Sequence, residues 1–176
     1  AFAHAALSHY ADFGHALIYV QKAGPLIARL GEEIEPYVLL PLTRLFCYAT
    51  REDLLPEFKN VAARLASLPA FAVEESPELP PNPYPSTTLK ALDWLKKHAP
   101  NHTRAALHAV LTEALAENLA HVDTTYQFAH DRPVSQNIGW LDFTHGVTFA
   151  VAVRVICTRH PDLWAAGLTQ MCCFLG

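Results

Sequence analysis

The sequence predicts an all-α protein, a bundle-like domain of about seven helices with one proline-rich loop. Three observations lead to this prediction. Apolar residues recur at helical spacing along almost the whole chain, and no stretch alternates in the way of a half-buried strand. The breaks between the periodic stretches are marked by proline, glycine or helix-capping residues. The 176 residues should form a single domain.

Four helical segments are expected before the loop. Gly24-Pro25 should end the first segment and Gly31 the second. Pro41 should kink the third segment. Thr50 should start the fourth segment, with an acidic residue three positions later. The segments span residues 1–22, 26–30, 35–49 and 50–68.

The loop and the helices after it are marked by single residues. Six prolines occur between Pro69 and Pro85 and predict the loop. Ser86 and Asn101 should cap the next two helices, and Pro161 should occupy the first position of the last one. The predicted helices span residues 87–97, 102–120, 138–158 and 163–174.

Composition and charge exclude several functional classes. The formal net charge is −4 and no basic cluster occurs, which argues against a nucleic-acid partner. The longest apolar stretch, Gly146 to Ile156, is interrupted by Arg154 and is shorter than the ~20 residues needed to cross a bilayer, so no membrane partner is predicted. The seven glycines never form a phosphate-binding loop, so a Rossmann-type nucleotide site is not expected.

The chain also contains a low fraction of charged residues. Charged residues make up 17%, against about 25% in an average soluble protein. Together with the apolar segment 168–175, this predicts that the chain is the C-terminal part of a longer protein or a subunit of a homo-oligomer, with a partner covering that segment. The four cysteines fit neither a disulfide scaffold nor a zinc site, and all four are expected to be reduced and buried in a cytoplasmic protein.

The candidate chemistry lies in the ten histidines. His15 and His145 each end a D-F-x-H pattern, in which Asp12 and Asp142 could orient the imidazole and tune a general base. We expect the two histidines to face a common cavity. The structural alternative is that each is a core histidine bonded to a backbone carbonyl. His98, His102 and His160 are expected at the surface.

Further candidates surround these two histidines. His4 would share a helix face with His15, three turns earlier. Thr148 lies near His145 on a small, partly polar stripe, where a ligand could approach. The predicted substrate-binding residues are His4, Tyr19, Arg51, Thr148 and Trp140.

Four segments resemble the questin oxidase-like family. They are residues 9–19 (HYADFGHALIY), 47–54 (CYATREDL), 142–150 (DFTHGVTFA) and 168–176 (LTQMCCFLG), in the expected order. The resemblance implies an oxygen-dependent oxidoreductase that performs a Baeyer–Villiger-type oxidation of an anthraquinone- or polyketide-like phenolic ketone. It implies NADPH as co-substrate and no flavin, and that this chain is roughly the C-terminal half of a longer protein.

Two other interpretations use the same residues. Paired D-x-x-H motifs on two helices are similar to the E-x-x-H pairs of di-iron bundles, although the bridging glutamates are not identifiable, so a metal is not expected. The third interpretation is a helical binding or assembly module without catalysis.

Overall fold

The computed structural model describes residues 1–9, 14–49, 51–56, 58–125 and 139–175. Within these ranges the chain forms eight α-helices and no β-strand, which confirms the predicted all-α class. The helices are α1 (Phe2–Ala6), α2 (His15–Leu30), α3 (Glu35–Cys47), α4 (Val61–Ala66), α5 (Thr88–His98), α6 (Arg104–Ala120), α7 (Trp140–Arg159) and α8 (Trp164–Cys173).

Helix α7 forms the centre of the packing, with α2, α6 and α8 against it. Its side chains Phe149, Val153 and Cys157 are fully buried, because α7 presents apolar residues to neighbours on several sides. By length and composition α7 could cross a membrane, a property it shares with the core helices of soluble proteins. The apolar stretch considered from the sequence, Gly146 to Ile156, is only the middle part of this helix.

The first half of the chain departs most from prediction. The expected helix 1–22 is divided, because α1 ends at Ala6 and α2 begins at His15. Helix α2 then continues through Gly24 and Pro25, so the predicted break is wrong. Pro25 is exposed and α2 packs against α3 and α7, so packing compensates for the one hydrogen bond that proline removes. Gly31, with φ of 101°, ends the helix as predicted.

The segment predicted as one helix over 50–68 is also divided. It contains a 3₁₀ turn, Glu52–Leu54, and the short helix α4. Pro56 lies between them and has no N–H to donate, which accounts for the division and which the sequence analysis overlooked.

The second half follows prediction closely. The proline-rich segment 69–87 contains no helix, and α5 and α6 begin within two residues of the expected positions. Their caps are shifted, however. Thr87 Oγ1 accepts the Lys90 N–H, and Thr103 Oγ1 accepts the Ala106 N–H, so neither Ser86 nor Asn101 is the capping residue.

The apolar C-terminal segment is covered by the chain itself. Leu168, Met171 and Cys172 are completely buried, and α8 packs against α5, α6 and α7. The prediction that a partner must cover residues 168–175 is therefore wrong. Apolar side chains are exposed on α2 and α3 instead, among them Leu26, Leu30, Tyr37 and Leu40.

The cysteines also divide into two groups. Cys157, Cys172 and Cys173 are buried free thiols, but Cys47 is exposed, contrary to prediction. Burial raises the pKa of Cys157 and Cys173 to about 12 and that of Cys172 well above its ordinary value. The thiolate is the reactive form, so these three thiols are protected chemically as well as sterically.

Native protein should therefore react with a thiol reagent at Cys47 alone. At pH 8 a thiol with a pKa of about 12 is ionised in about one molecule in ten thousand. Ellman's reagent should label one thiol per native chain and four in denaturant. Cys47→Ser should label none when native and three when denatured; fast labelling of this variant in the native state would contradict the assigned burial.

Gly14 permits the close approach of α2 to α7. Its φ is +70°, and a Cβ there would lie 2.4 Å from Phe149 Cδ2. We expect Gly14→Ala to lower the free energy of unfolding by at least about 1–3 kcal/mol, from backbone strain and the steric clash together.

Gly24→Ala is the matched control. Gly24 lies inside the same helix and a Cβ there would meet nothing within 4 Å, so alanine should stabilise by up to about 1 kcal/mol. Urea denaturation of the two variants measures the difference. Equal stabilities would show that α2 does not start in the way described.

Candidate functional site

His15 and His145 are in direct contact. His15 is the first residue of α2 and His145 lies in the second turn of α7. Their Nε2 atoms are 2.9 Å apart, and the rings meet edge to face with centroids 4.7 Å apart. Both side chains are partly buried. The sequence predicted that the two residues would face a common cavity; the structure brings them into contact, and neither is among the residues that line the α2–α3 groove.

The backbone determines where the hydrogens lie. His145 Nδ1 hydrogen-bonds the carbonyl oxygen of Leu141, one turn earlier. A carbonyl oxygen can only accept, so Nδ1 carries the hydrogen. When His145 is neutral its Nε2 must therefore accept, and His15 Nε2–H must be the donor across the 2.9 Å contact.

This arrangement accommodates one added proton. If His145 becomes an imidazolium, its Nε2–H can donate to His15, provided that His15 changes tautomer. If both rings were protonated, two N–H groups would point at each other and the contact would be lost. The pair can therefore take up one proton from a bound ligand while keeping its geometry, which is what a general base needs.

Asp142 has a different role from the predicted one. Its Oδ2 accepts the Gly139 N–H at 2.8 Å, at the start of α7. The first turn of a helix leaves N–H groups without partners, and an acid three residues in can reach back to them. His145 Nδ1 is consequently oriented by the Leu141 carbonyl. Asp12, the corresponding residue for His15, lies outside the described residues.

Tyr19 connects the histidine pair to a groove. Its ring lies nearly parallel to that of His15, with centroids 5.8 Å apart and an angle of 11°. The same side chain lines a groove of about 650 Å³ between α2 and α3. That size is in the range of small-molecule sites.

The groove walls are apolar and aromatic, with two cations. Tyr37 and Tyr48 stand on the α3 side and are 81% and 78% exposed, so their ring faces are accessible to a ligand. Lys22 from α2 and Arg44 from α3 complete the lining. The apolar lining residues are Ala23, Leu26, Val38, Pro41, Leu42 and Leu45.

The remaining predicted site residues are not placed in this groove. His4 Nε2 hydrogen-bonds Asp162 Oδ2 at 2.9 Å, and the division between α1 and α2 removes the continuous face it was expected to share with His15. Thr148 donates to the carbonyls of its own helix. Trp140 is 47% exposed at the first turn of α7, and Arg51 is exposed before the 3₁₀ turn.

Three polar residues lie in buried surroundings that the sequence did not predict. Glu52, which the sequence did not single out, is only 5% exposed, and its Oε2 lies 3.3 Å from His9 Nδ1. His102 was expected at the surface but is 8% exposed, with Nδ1 donating to the His98 carbonyl. His108 is buried and donates to the Ala150 carbonyl, and burial lowers its pKa, so it remains neutral and structural. No local sequence signal distinguishes these environments.

Among the residues that the structure describes, no three histidine, cysteine, aspartate or glutamate side chains are grouped so that they could hold a metal ion.

The hydrogen assignment can be measured directly. In two-bond ¹⁵N–¹H correlation spectra, at a pH where the rings are neutral, His145 should appear as the Nδ1–H tautomer and His15 as the Nε2–H tautomer. His121 is the internal control, because its Nδ1 also donates to a carbonyl one turn earlier, at Glu117. An Nε2–H signal from His145 would contradict the assignment.

Comparisons with known proteins leave the function to be argued from geometry. No model of a protein family matches the chain, and no curated protein or solved structure is significantly similar to it. The functional conclusion therefore depends on the histidine pair, on the groove beside it and on the resemblance of the four segments.

Proposed function

We propose that this protein is an oxygen-dependent oxidoreductase that binds a phenolic aromatic ketone in the α2–α3 groove and removes its phenol proton with the His15–His145 pair. The observation that carries the proposal is the 2.9 Å contact between the two Nε2 atoms. The resemblance to the questin oxidase-like family supplies the reaction class.

The pair suits the first step because a proton that His15 accepts can be passed across the Nε2–Nε2 contact to His145 while the contact is kept. The phenol O–H donates to the His15 ring, since both nitrogens of His145 are already engaged in the neutral pair. Removing the proton gives an electron-rich phenolate, which reacts more readily with oxygen than the neutral phenol does. The second histidine shares the new charge by hydrogen bonding, so the positive pair remains beside the phenolate and stabilises it.

The reaction balances as a Baeyer–Villiger-type oxidation. Oxygen adds to the substrate carbanion site, and the substrate peroxide then attacks the neighbouring ketone. One carbon–carbon bond to the carbonyl breaks as a carbon–oxygen bond forms, and the oxygen–oxygen bond breaks. One oxygen atom is retained in the ester, and the other stays as a hydroxyl group on the carbon that bound oxygen until its loss as water restores the aromatic ring. Hydride transfer from NADPH, with one proton, supplies the two electrons of this balance by reducing the substrate before oxygen adds.

The groove fits the substrate side of the proposal. Tyr19, Tyr37 and Tyr48 offer ring faces on which a flat aromatic molecule can stack. Lys22 and Arg44 are the cations available in the groove to an anionic substrate group or to a co-substrate phosphate. Tyr19 belongs both to the groove lining and to the stack on His15, and this shared residue supports placing the substrate near the base.

The test is oxygen uptake with NADPH and a panel of hydroxylated anthraquinones. His145→Gln should lower the rate by at least about 100-fold, the usual contribution of a general base. His121→Gln is the matched control, since His121 makes the same local carbonyl bond but is exposed and stacks on Tyr84.

Two results would overturn the proposal. One is oxygen uptake that is equally fast in wild type and His145→Gln. The other is no uptake with any member of the panel by a protein that binds those compounds, which would favour the non-catalytic binding module.

A further inference from the structure

We propose that the groove selects ligands bearing a second acidic group, which is held by Lys22, about 10 Å beyond His15 along the axis of α2, and by Arg44 from the opposite wall. This deepens the proposed function and depends on it only for the position of the phenol. The ligand class is an aromatic acid with a phenol at one end and a carboxylate at the other.

The register of α2 places the groove residues of that helix in line with His15. His15, Tyr19, Lys22 and Leu26 are spaced by four, three and four residues. At 3.6 residues per turn they lie within about 60° of one another around the helix axis. Tyr19, Lys22 and Leu26 all line the groove, and His15 lies on the same stripe, about one turn before Tyr19.

The spacing of these residues along α2 also sets the length of the ligand. Lys22 is seven residues after His15, which corresponds to about 10 Å along the helix axis at 1.5 Å per residue. A ligand whose phenol meets the histidine pair and whose far end reaches Lys22 must be about two fused rings long.

The second cation approaches from the opposite wall. Arg44 lies near the end of α3, and its guanidinium carbon is 5.3 Å from the centroid of the Tyr48 ring. Stacking on an aromatic face holds the plane of the guanidinium and leaves its N–H groups at the edge, the geometry that receives a carboxylate. Lys22 and Arg44 therefore present donors from both walls of the same groove.

These two cations lack acidic partners in the described part of the chain. Ion pairs there engage other residues, such as Arg64 with Asp93, and no aspartate or glutamate is among the residues lining the groove. The groove therefore carries local positive charge although the chain has a formal net charge of −4. Apolar walls strengthen the attraction of these cations for an anion relative to water.

An anion in this groove could be a substrate carboxylate or a phosphate of NADPH. Both groups are anions and would be recognised by the same charged hydrogen bonds from Lys22 and Arg44. The tyrosines and the apolar side chains form most of the lining, which favours an anion attached to a flat aromatic body over a phosphate attached to a sugar. We therefore assign the two cations to an aromatic acid.

The probe pair is 6-hydroxy-2-naphthoate and its neutral analogue 6-hydroxy-2-naphthamide. Binding is followed by the change in naphthol fluorescence. Wild type should bind the carboxylate more tightly than the amide. Lys22→Gln and Arg44→Gln should each weaken carboxylate binding by about fivefold, the upper range for a single exposed ion pair. Amide binding should be unchanged, and the double variant should show no preference.

Lys90→Gln serves as the control for net charge. Lys90 is an exposed lysine on α5, away from the groove lining, and its replacement should leave both affinities unchanged. Equal affinities for the two probes in wild type would overturn the inference. So would loss of NADP⁺ binding, but not of carboxylate binding, in Arg44→Gln, because that result assigns the cation to the phosphate.

His145→Gln separates this inference from the proposed function. The variant should keep the preference for the carboxylate, since the cations are intact. If the preference persists but no oxidation occurs in wild type, the recognition of an acid stands and the proposed reaction fails. If oxidation occurs but the wild type shows no preference for the carboxylate, the proposed reaction stands and the recognition of an acid fails.

Discussion

The approach of α2 to α7 is the constraint on which the site depends. At Gly14 the backbone is left-handed and lies against Phe149, so that even one methyl group would collide. Helix α2 begins at the next residue. The same close approach places the first side chain of α2 against α7, and His15 meets His145 there. The histidine contact is thus a direct consequence of how the core packs.

Comparison with His108 shows why this contact differs from an ordinary core histidine. His108 is buried, donates to one backbone carbonyl and is kept neutral by its surroundings. His145 also donates to a backbone carbonyl, but its second nitrogen meets another imidazole, that of His15. The carbonyl fixes the ring and the tautomer, and the partner imidazole provides a group that can exchange a proton with it. A core role and a proton-transfer role are therefore distinguished by what the second nitrogen meets.

The sequence predicted those features that depend on local chemistry. Helical periodicity and the proline-rich loop follow from neighbouring residues, and the structure has both. Pro161, predicted at the first position of the last helix, instead begins the 3₁₀ turn Pro161–Leu163 that leads directly into α8. The repeated D-F-x-H pattern identified His15 and His145 as partners.

What the sequence could not show depends on tertiary packing. Pro25 is tolerated because α2 packs on both sides of it, and residues 168–175 are buried because α5, α6 and α7 surround them. Asp142 was assigned to His145 because both lie on one helix face, but the unpartnered Gly139 N–H at the helix start takes its carboxylate. The groove was missed entirely, since its two walls come from different helices and neither wall has a motif.

In the proposed function, the stacking of Tyr19 on His15 links binding to proton transfer. Tyr19 contributes one face to the groove and lies nearly parallel to the histidine ring. A ligand that packs against Tyr19 in the groove would therefore be restricted in the positions its phenol can take relative to the His15–His145 pair. General-base catalysis requires hydrogen-bond reach, so restricting the phenol position would increase the fraction of bound ligand that can transfer its proton. The proposal treats the apolar walls and the histidine pair as one site, because a single helix, α2, carries both His15 and the groove residues Tyr19 and Lys22.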